Sequence, residues 1–229
     1  MSALFVSTPS AFQQDLAATA QHLSSVLPAP AAQTIDAGIT TAAAAGLASQ
    51  ALGPWQTAPA FTLPDAAGAP VALAHLLLRG PVVLFFYRGN WCPYCNVQLR
   101  AYQQLLPELA RYGATLVAVS PQTPDLTSLT SSEKELDFPV LSDVGNVVAR
   151  QYGLAYPVGP AVADTLRSLG IDLAAYNGTD HDELPVTATF VIGTDGAITW
   201  SWADSNFKHR ADPADILAAL AQSASSQPA

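Results

Sequence analysis

An apolar run, a pair of cysteines and a helical pattern follow one another without interruption in this chain. Residues 81–87 are almost entirely apolar, as expected of a strand that is covered on both faces. Cys92 and Cys95 come next, within the sequence WCPYC, and helix-compatible spacing continues over residues 96–112. This order predicts a buried strand, a short loop and a dithiol at the beginning of a helix.

The position of the dithiol has chemical consequences. A helix N-terminus carries partial positive charge and free amide donors, which stabilise a thiolate and lower the pKa of a thiol. Cys92 and Cys95 are one helical turn apart, so they can close a disulfide within the same site. They are also the chain's only cysteines, so each is the other's resolving partner.

The flanking segments predict an α/β domain with a mixed central sheet. Residues 114–120 form a second apolar run, and residues 188–193 and 197–203 predict a terminal hairpin. Strands that alternate with helices and end in a hairpin indicate a sheet that is not purely parallel. The other predicted elements are a hairpin at 61–63 and 71–73, helices at 75–78, 124–136, 144–152 and 213–222, a strand at 138–141, and an irregular insert over 154–184. The helix after the cysteines is expected to kink or start anew at Pro107.

The chain divides into three predicted segments. Residues 1–53 form an N-terminal helical arm, with a loose end over 1–9 and helices at 10–27 and 31–52. This arm is expected to pack on the main domain or on a partner subunit. The main domain covers residues 54–222, and residues 223–229 are expected to form a flexible tail.

Composition excludes several classes of partner. The chain has 229 residues, half of them hydrophobic, and a formal net charge of −9 with only nine Lys and Arg residues. Without a basic stripe, nucleic acid and anionic membranes are unfavourable partners. A secretory signal and a membrane span are not predicted either. The protein is therefore predicted to be cytoplasmic, where a lone cysteine pair is more often catalytic or metal-binding than a structural disulfide.

At this point the residues resemble a known family. A strand, WCPYC and a helix are typical of the thioredoxin fold, and CPYC is typical of glutaredoxins. The surrounding sequence is more similar to the peroxiredoxins of the alkyl hydroperoxide reductase / thiol-specific antioxidant (AhpC/TSA) family. The segments that carry this similarity are 58–65, 116–120, 138–143 and 189–192 with 195–196. The resemblance covers about residues 54–222, and the subgroup with a CxxC motif is the most similar. It implies a thioredoxin-like, peroxiredoxin-type mixed sheet flanked by helices, and a thiol redox enzyme.

The chain departs from that family at the site itself. Peroxiredoxins place a Pro, a Thr and the peroxidatic Cys in one loop, with an Arg on a later strand. The peroxidatic position falls on Cys95, the Thr position on Cys92 and the Pro position on Arg88. The later Arg position falls near Thr187, so only the cysteine of these four is retained. Because the missing groups orient the peroxide and polarise its O–O bond, their absence argues against fast peroxide reduction. Arg88 is either a replacement positive charge or a solvated loop charge.

Resemblance to thioredoxins implies a different order of attack. There Cys92 would be the exposed nucleophile, and Cys95 would resolve the mixed disulfide. The buried acid of that family falls on Phe86 here, so this proton acceptor is absent. The proline that faces the dithiol in that family falls close to Pro185, which is therefore a candidate contact residue.

Other residues near the motif are supporting candidates. Pro93 and Tyr94 lie between the cysteines, and Trp91 either shields the disulfide or is an aromatic residue at the sheet edge. Asp143 is predicted to cap the helix that follows it. The polar residues 176–183 are predicted to be a solvated loop rather than the rim of the site.

Two substrates fit the dithiol. Attack on a hydroperoxide would give a sulfenic acid, which then condenses with the neighbouring thiol. Attack on a disulfide would give a mixed disulfide, which the neighbouring thiol then resolves. Both routes end in the Cys92–Cys95 disulfide, which a cellular dithiol reductant such as a thioredoxin- or glutathione-type donor would reduce again. Antioxidant reduction of hydroperoxides is favoured because the whole domain resembles peroxiredoxins. A protein disulfide oxidoreductase is the alternative. Neither route needs a metal, flavin or haem cofactor.

Two further hypotheses come from other classes. The dithiol could be a redox sensor that alters a partner contact through the arm. Structural zinc would need about four ligands, and one CxxC motif without suitably spaced histidines supplies two. A homodimer is predicted from the apolar surface of the arm and of residues 200–207.

Overall fold

The computed structural model of the protein describes residues 9–225. Its strands are β1 (Thr62–Pro64), β2 (Pro70–Ala72), β3 (Val82–Phe86), β4 (Thr115–Ser120), β5 (Val140–Ser142), β6 (Ala155–Pro157), β7 (Glu183–Pro185), β8 (Thr187–Ile192) and β9 (Ile198–Asp204). Its α-helices are α1 (Ala11–Val26), α2 (Ala29–Ala44), α3 (Leu73–Leu77), α4 (Pro93–Ala110), α5 (Pro124–Glu133), α6 (Val147–Gln151), α7 (Pro160–Ser168), α8 (Leu173–Asn177) and α9 (Pro213–Ser225). Residues 1–8, in the predicted loose end, and residues 226–229, in the predicted tail, lie outside the described residues.

A five-stranded mixed sheet forms the centre of the fold, in the order β5-β4-β3-β8-β9. The first three strands are parallel to one another, while β8 is antiparallel to β3 and β9 is antiparallel to β8. This arrangement confirms the predicted mixed α/β sheet. The small hairpin β1–β2 and the pair β6–β7 lie outside it.

The apolar run of β3 is buried because both faces of the sheet are covered. Its side chains alternate between two clusters, as the pleat of a strand requires. Phe85 lies in a cluster that α1, α4 and α9 also contribute to. Phe86, which takes the place of a buried acid, packs in the other cluster against Tyr152 and Phe190, with ring centroids 5.1 and 6.1 Å away.

The N-terminal arm packs on its own domain. Phe12 and Leu16 of α1 are buried in the main core, where the Phe12 ring lies 6.2 Å from that of Tyr102. Helix α2 packs on α7. A Cβ at Gly38 of α2 would lie 2.7 Å from Cγ2 of Val162, so glycine permits the close approach of the two helices. The apolar surface of the arm is thus used within the chain, and the homodimer stays a prediction.

Several element boundaries differ from the sequence-based expectation. Helix α2 begins at Ala29, before the expected start at residue 31. It includes Pro30, because proline is tolerated in the first turn of a helix. It ends at Ala44, well before residue 52, since Gly46 adopts a left-handed φ of +64° and a 3-10 turn follows at Leu47–Gln50. Helix α9 extends to Ser225, three residues into the predicted tail.

The helix after the cysteines does not start anew at Pro107. Helix α4 begins at Pro93 and runs through Pro107 to Ala110. Its buried face explains this continuity, because Tyr102, Leu105 and Leu109 are anchored in the core on both sides of the proline.

The prediction of an irregular insert over residues 154–184 is wrong. The segment contains β6, α7, α8 and β7, and β6 and β7 pair antiparallel with each other. Leu166, Leu173 and Leu184 bury one another in a small cluster of their own. These elements are three to nine residues long, so each carries too few residues for a clear periodic pattern. Among residues 9–225, none of the helices combines the length and apolarity needed to cross a membrane.

Candidate active site

The dithiol lies where the sequence predicts, between β3 and α4. Cys92 is the N-cap residue of α4, and its carbonyl accepts the first helical hydrogen bond from the Asn96 N–H at 3.1 Å. Pro93 occupies the first helical position, where a missing N–H removes no hydrogen bond. Cys95 lies in the first turn, and both thiols are free and buried.

Hydrogen bonds fix the loop that leads to the cysteines. The Asn96 side chain donates to the Asn90 carbonyl at 2.8 Å, and the Asn90 N–H donates to Oε1 of Gln122 at 3.0 Å. Gly89 has a φ of +148°, and a Cβ there would lie 2.5 Å from Nε1 of Trp91. A glycine is therefore required for the loop to pass this close to the indole.

A second arginine, Arg210, reaches the dithiol from the segment before α9. Its side chain is buried, and Nη2 donates to Sγ of Cys95 at 3.3 Å. Nε donates to Oε1 of Gln98 at 2.9 Å, and Nη1 contacts Oγ1 of Thr187 at 3.5 Å. Nη1 also donates to the carbonyls of Phe207 and His209. These acceptors hold the guanidinium in one orientation against Cys95.

Arg210 changes the interpretation of the missing family arginine. The resemblance places that arginine near Thr187, and here Thr187 contacts the guanidinium of Arg210. The positive charge is thus present but comes from a different element. The sequence analysis missed it because Arg210 lies 115 positions from Cys95, in a segment without periodicity. The only signal in the sequence that could have pointed to Arg210 is that the chain has few basic residues.

The two thiols have opposite electrostatic surroundings. Burial raises the pKa of Cys95, but hydrogen bonding from the Cys92 thiol, the charge of Arg210 and a backbone hydrogen bond from Arg88 outweigh it. The pKa of Cys95 therefore lies well below that of an ordinary thiol. Burial raises the pKa of Cys92, and its hydrogen bond to Cys95 raises it further. Both directions favour a thiolate at Cys95 that accepts a hydrogen bond from the Cys92 thiol.

Arg88 is a buried charge, not a solvated one. Its guanidinium carbon lies 3.8 Å from the ring centroid of Phe207 and 4.9 Å from that of Trp91. Within residues 9–225, its side chain forms no ion pair, and its buried Nε has no hydrogen-bond partner. Arg88 thus presents an unpaired guanidinium beside Cys92.

A cavity of about 340 Å³ adjoins the dithiol on the side of Cys92. Its lining is mainly apolar and includes the motif residues Arg88, Trp91, Pro93 and Tyr94. The N-terminal arm and α7 contribute the remaining walls, together with Phe207 and Lys208. Cys92 lines this cavity, whereas Cys95 lies behind it and is fully buried.

Other predicted residues lie elsewhere. Pro185 pairs with Ala155 in the β6–β7 sheet and does not line the cavity, and no peptide bond among residues 9–225 is cis. Contact between Pro185 and the dithiol therefore stays a prediction. Residues 176–183 do not line the cavity either, but they are not wholly a solvated loop, because Asn177 ends α8, Glu183 begins β7, and both side chains are buried. Asp143 caps α6 as predicted, since its carboxylate accepts from the backbone N–H groups of Val148 and Ala149.

The described part of the chain offers no grouped metal ligands. Over residues 9–225, three or more His, Cys, Asp or Glu side chains do not come together in a way that could hold an ion. Cys92 and Cys95 are the only two such ligands at the helix start.

Comparison with known proteins adds an independent observation. The sequence profile of the AhpC/TSA family matches residues 54–201. A putative peroxiredoxin of Mycobacterium tuberculosis is 36% identical over 94 residues, which are 41% of this chain and 61% of that protein. A second one is 31% identical over 147 residues, 64% of this chain and 82% of that protein. The crystal structure of peroxidoxin BcpB from the same organism aligns with a TM-score of 0.60 and 28% identity, covering 75% of this chain and 97% of that one.

Proposed function

The chain belongs to the AhpC/TSA family, and from this membership we propose that it reduces hydroperoxides, with Cys95 as the attacking thiolate and Cys92 as the resolving thiol. The contact between Arg210 and Cys95 carries this proposal. A buried guanidinium is costly without an anion, and none of the ion pairs within residues 9–225 provides a carboxylate for Arg210. A thiolate at Cys95 supplies that anion.

In the first step, the Cys95 thiolate attacks the terminal oxygen of a hydroperoxide. An S–O bond forms, the O–O bond breaks, and the substrate oxygen departs with the electron pair of that bond. Cys95 becomes a sulfenic acid, and the departing alkoxide takes the proton of Cys92 to give an alcohol. Arg88 stands beside Cys92 with an unpaired guanidinium, which stabilises the negative charge that develops on the departing oxygen.

In the second step, the Cys92 thiolate attacks the sulfur of the Cys95 sulfenic acid. A disulfide forms and hydroxide leaves, which takes a proton to become water. The two thiols supply both electrons that the peroxide accepts. The single turn of α4 between the cysteines allows this step within one site. In this scheme Cys92, at the position of the family's threonine, donates a hydrogen bond to the peroxidatic sulfur, and as a thiol it is also the resolving group.

A dithiol reductant completes the cycle. Exchange with a thioredoxin- or glutathione-type donor returns both cysteines to thiols. Such donors are abundant in a reducing compartment such as the cytoplasm, which is the location we propose. Assembly as a homodimer remains part of the proposal, to be tested by the mass of the protein in solution.

One observation favours a second candidate function, thiol–disulfide exchange. Cys92, not Cys95, lines the cavity, so a disulfide substrate would meet the N-terminal cysteine first, as in thioredoxins. The high pKa of Cys92 argues against this order, because the thiolate is the nucleophile. The two functions therefore predict different attacking cysteines.

The first experiment mixes the fully reduced protein with hydrogen peroxide in a stopped-flow instrument and follows the fluorescence of Trp91. A rate far above that of an ordinary free thiolate is expected. A rate no better than that of a free thiolate would reject the peroxidase and leave disulfide exchange, with redox sensing behind it.

Two single variants then assign the roles. Cys92→Ser should still oxidise and accumulate a sulfenic acid that dimedone traps, because the resolving thiol is missing. Cys95→Ser should form no sulfenic acid. The reverse pattern would make Cys92 the attacking residue. A sensor would differ from an enzyme by oxidising once without sustained turnover in the presence of a dithiol donor.

A further inference from the structure

We propose that the N-terminal arm completes a preformed binding site for the organic part of the substrate, so that this chain selects bulky apolar hydroperoxides over hydrogen peroxide. This inference rests on the proposed peroxidase function and names its substrate class. It also assigns a role to the arm, which lies outside the residues matched by the family profile.

The arm supplies one wall of the cavity beside Cys92. Leu23 and Leu27, at the end of α1, and Ala32 and Ile35 of α2 all line it. The facing wall comes from α7 and the residues after it, which are likewise apolar at the surface of the cavity. Its members are Val162, Leu166, Leu169 and Ile171. Without residues 11–44 the cavity would be an open apolar surface next to the dithiol.

The arm is held rigidly enough to form such a wall. Phe12 and Leu16 anchor α1 in the main core, and the Ser10 hydroxyl donates to Asp212 at 2.6 Å. Close packing at Gly38 fixes α2 against α7. An ion pair between Asp36 and Lys208, 2.6 Å apart, joins α2 to a second segment that lines the cavity. A site that is formed before the ligand arrives loses less conformational entropy on binding.

The polar groups of the cavity indicate which end of a ligand lies where. Arg88 and Cys92 both line the cavity, and Cys95 is the neighbour of Cys92 in the dithiol, so the peroxide group must approach on this side to react. An unpaired guanidinium fits a polar head group, and the apolar walls fit an aliphatic or aromatic body. Hydrogen peroxide has no such body and would leave these walls in contact with water.

The size of the cavity favours a small molecule over a protein. About 340 Å³ lies at the lower end of the roughly 300–1,000 Å³ that is usual for small-molecule sites. The side chain of a protein disulfide would have to enter between the arm and α7 with its backbone attached. A compact apolar hydroperoxide needs no such opening.

The test compares cumene hydroperoxide with hydrogen peroxide on the full-length chain. For each substrate, kcat/KM is measured with a dithiol donor, and their ratio is the readout. The wild-type protein should prefer cumene hydroperoxide. Ala32→Phe fills the cavity from the arm and should lower the ratio by about tenfold or more, the size of effect that one apolar group has in a pocket. Ala43→Phe, an exposed position on the same helix, is the matched control and should leave the ratio as it is.

A second variant and a binding measurement guard against misfolding. Leu27→Ala removes apolar contact from the same wall without adding bulk, and it should also lower the ratio. Calorimetry with cumyl alcohol, the product, should give weaker binding to both pocket variants than to Ala43→Phe.

The outcomes separate the two proposals. If the wild type reacts with neither peroxide faster than a free thiolate does, the proposed function fails and this inference with it. If both peroxides react equally well, or if Ala32→Phe and Leu27→Ala keep the wild-type ratio and affinity, only the role of the arm is rejected.

Discussion

Replacing Arg210 by methionine tests the charge that stabilises the Cys95 thiolate. The substitution keeps an unbranched side chain of similar length but removes the donor that lies 3.3 Å from Sγ. A hydrogen bond to a charged group contributes about 1.5–3 kcal/mol. Since about 1.4 kcal/mol corresponds to a factor of ten, we expect peroxide to oxidise the reduced variant about 10- to 150-fold more slowly near neutral pH.

The pH dependence of this deficit has a definite sign. In the wild type the pKa of Cys95 is lowered. The rate of its oxidation by peroxide should therefore stay constant when the pH falls below the pKa of an ordinary thiol. Loss of Arg210 should move the inflection of the profile to higher pH. The deficit should therefore shrink as the pH rises and the variant's thiol ionises. Stopped-flow rates over a range of pH, with thiolate absorbance as a second readout, measure this directly.

Two further variants serve as controls for this experiment. Arg210→Lys keeps the positive charge but lacks the planar guanidinium that donates to Gln98 and Cys95 at the same time. Its rate of oxidation by peroxide should therefore lie between those of the wild type and Arg210→Met. Arg100→Met removes an exposed arginine from α4 and should match the wild type. Thermal melting curves check that each variant is folded. If Arg210→Met is folded and has the wild-type rate and profile, the guanidinium does not stabilise the thiolate.

Three other substitutions test the packing that positions the site. Gly38→Ala places a Cβ 2.7 Å from Val162, and the overpacking of about 1–3 kcal/mol should outweigh the roughly 1 kcal/mol that alanine gains in a helix. Urea unfolding measures the difference, and a stabilised variant would contradict the close contact between α2 and α7. Gly89→Ala should displace Trp91 and so change the fluorescence of the reduced protein, whereas an unchanged spectrum would show that the loop has room for the Cβ. Asp143→Ala removes the cap of α6 and should lower the free energy of unfolding by about 0.5–2 kcal/mol. If the variant and the wild type unfold at the same urea concentration, the cap does not stabilise the fold.

Local sequence patterns were sufficient for the framework of the site. The apolar runs of β3 and β4 correspond to buried strands, and the WCPYC motif lies at the start of α4. These features depend on residues within a few positions of one another, where strand and helix periodicities are explicit. The short elements of residues 154–184 were not predicted, because each is too short to show a clear periodic pattern. The continuity of α4 through Pro107 was not predicted either, because burial of this helix in the main core stabilises it.

The composition of the site was only partly predictable. Cys92, Cys95, Arg88 and Trp91 lie close together in the sequence and in space, so their association followed from the loop that connects them. The stabilising charge on Cys95 did not follow, since it comes from Arg210.

By itself, the sequence determined the elements around the dithiol, the mixed sheet and the position of the cysteine pair at the start of a helix. The tertiary structure alone decided which cysteine contacts the buried guanidinium of Arg210, and which part of the chain forms a wall of the cavity beside Cys92. Both outcomes depend on contacts between segments more than 60 residues apart, Arg210 with Cys95 and the arm with α7. Hydrogen bonds and burial act through distance in space, and no periodic pattern along a chain encodes which remote side chains will meet.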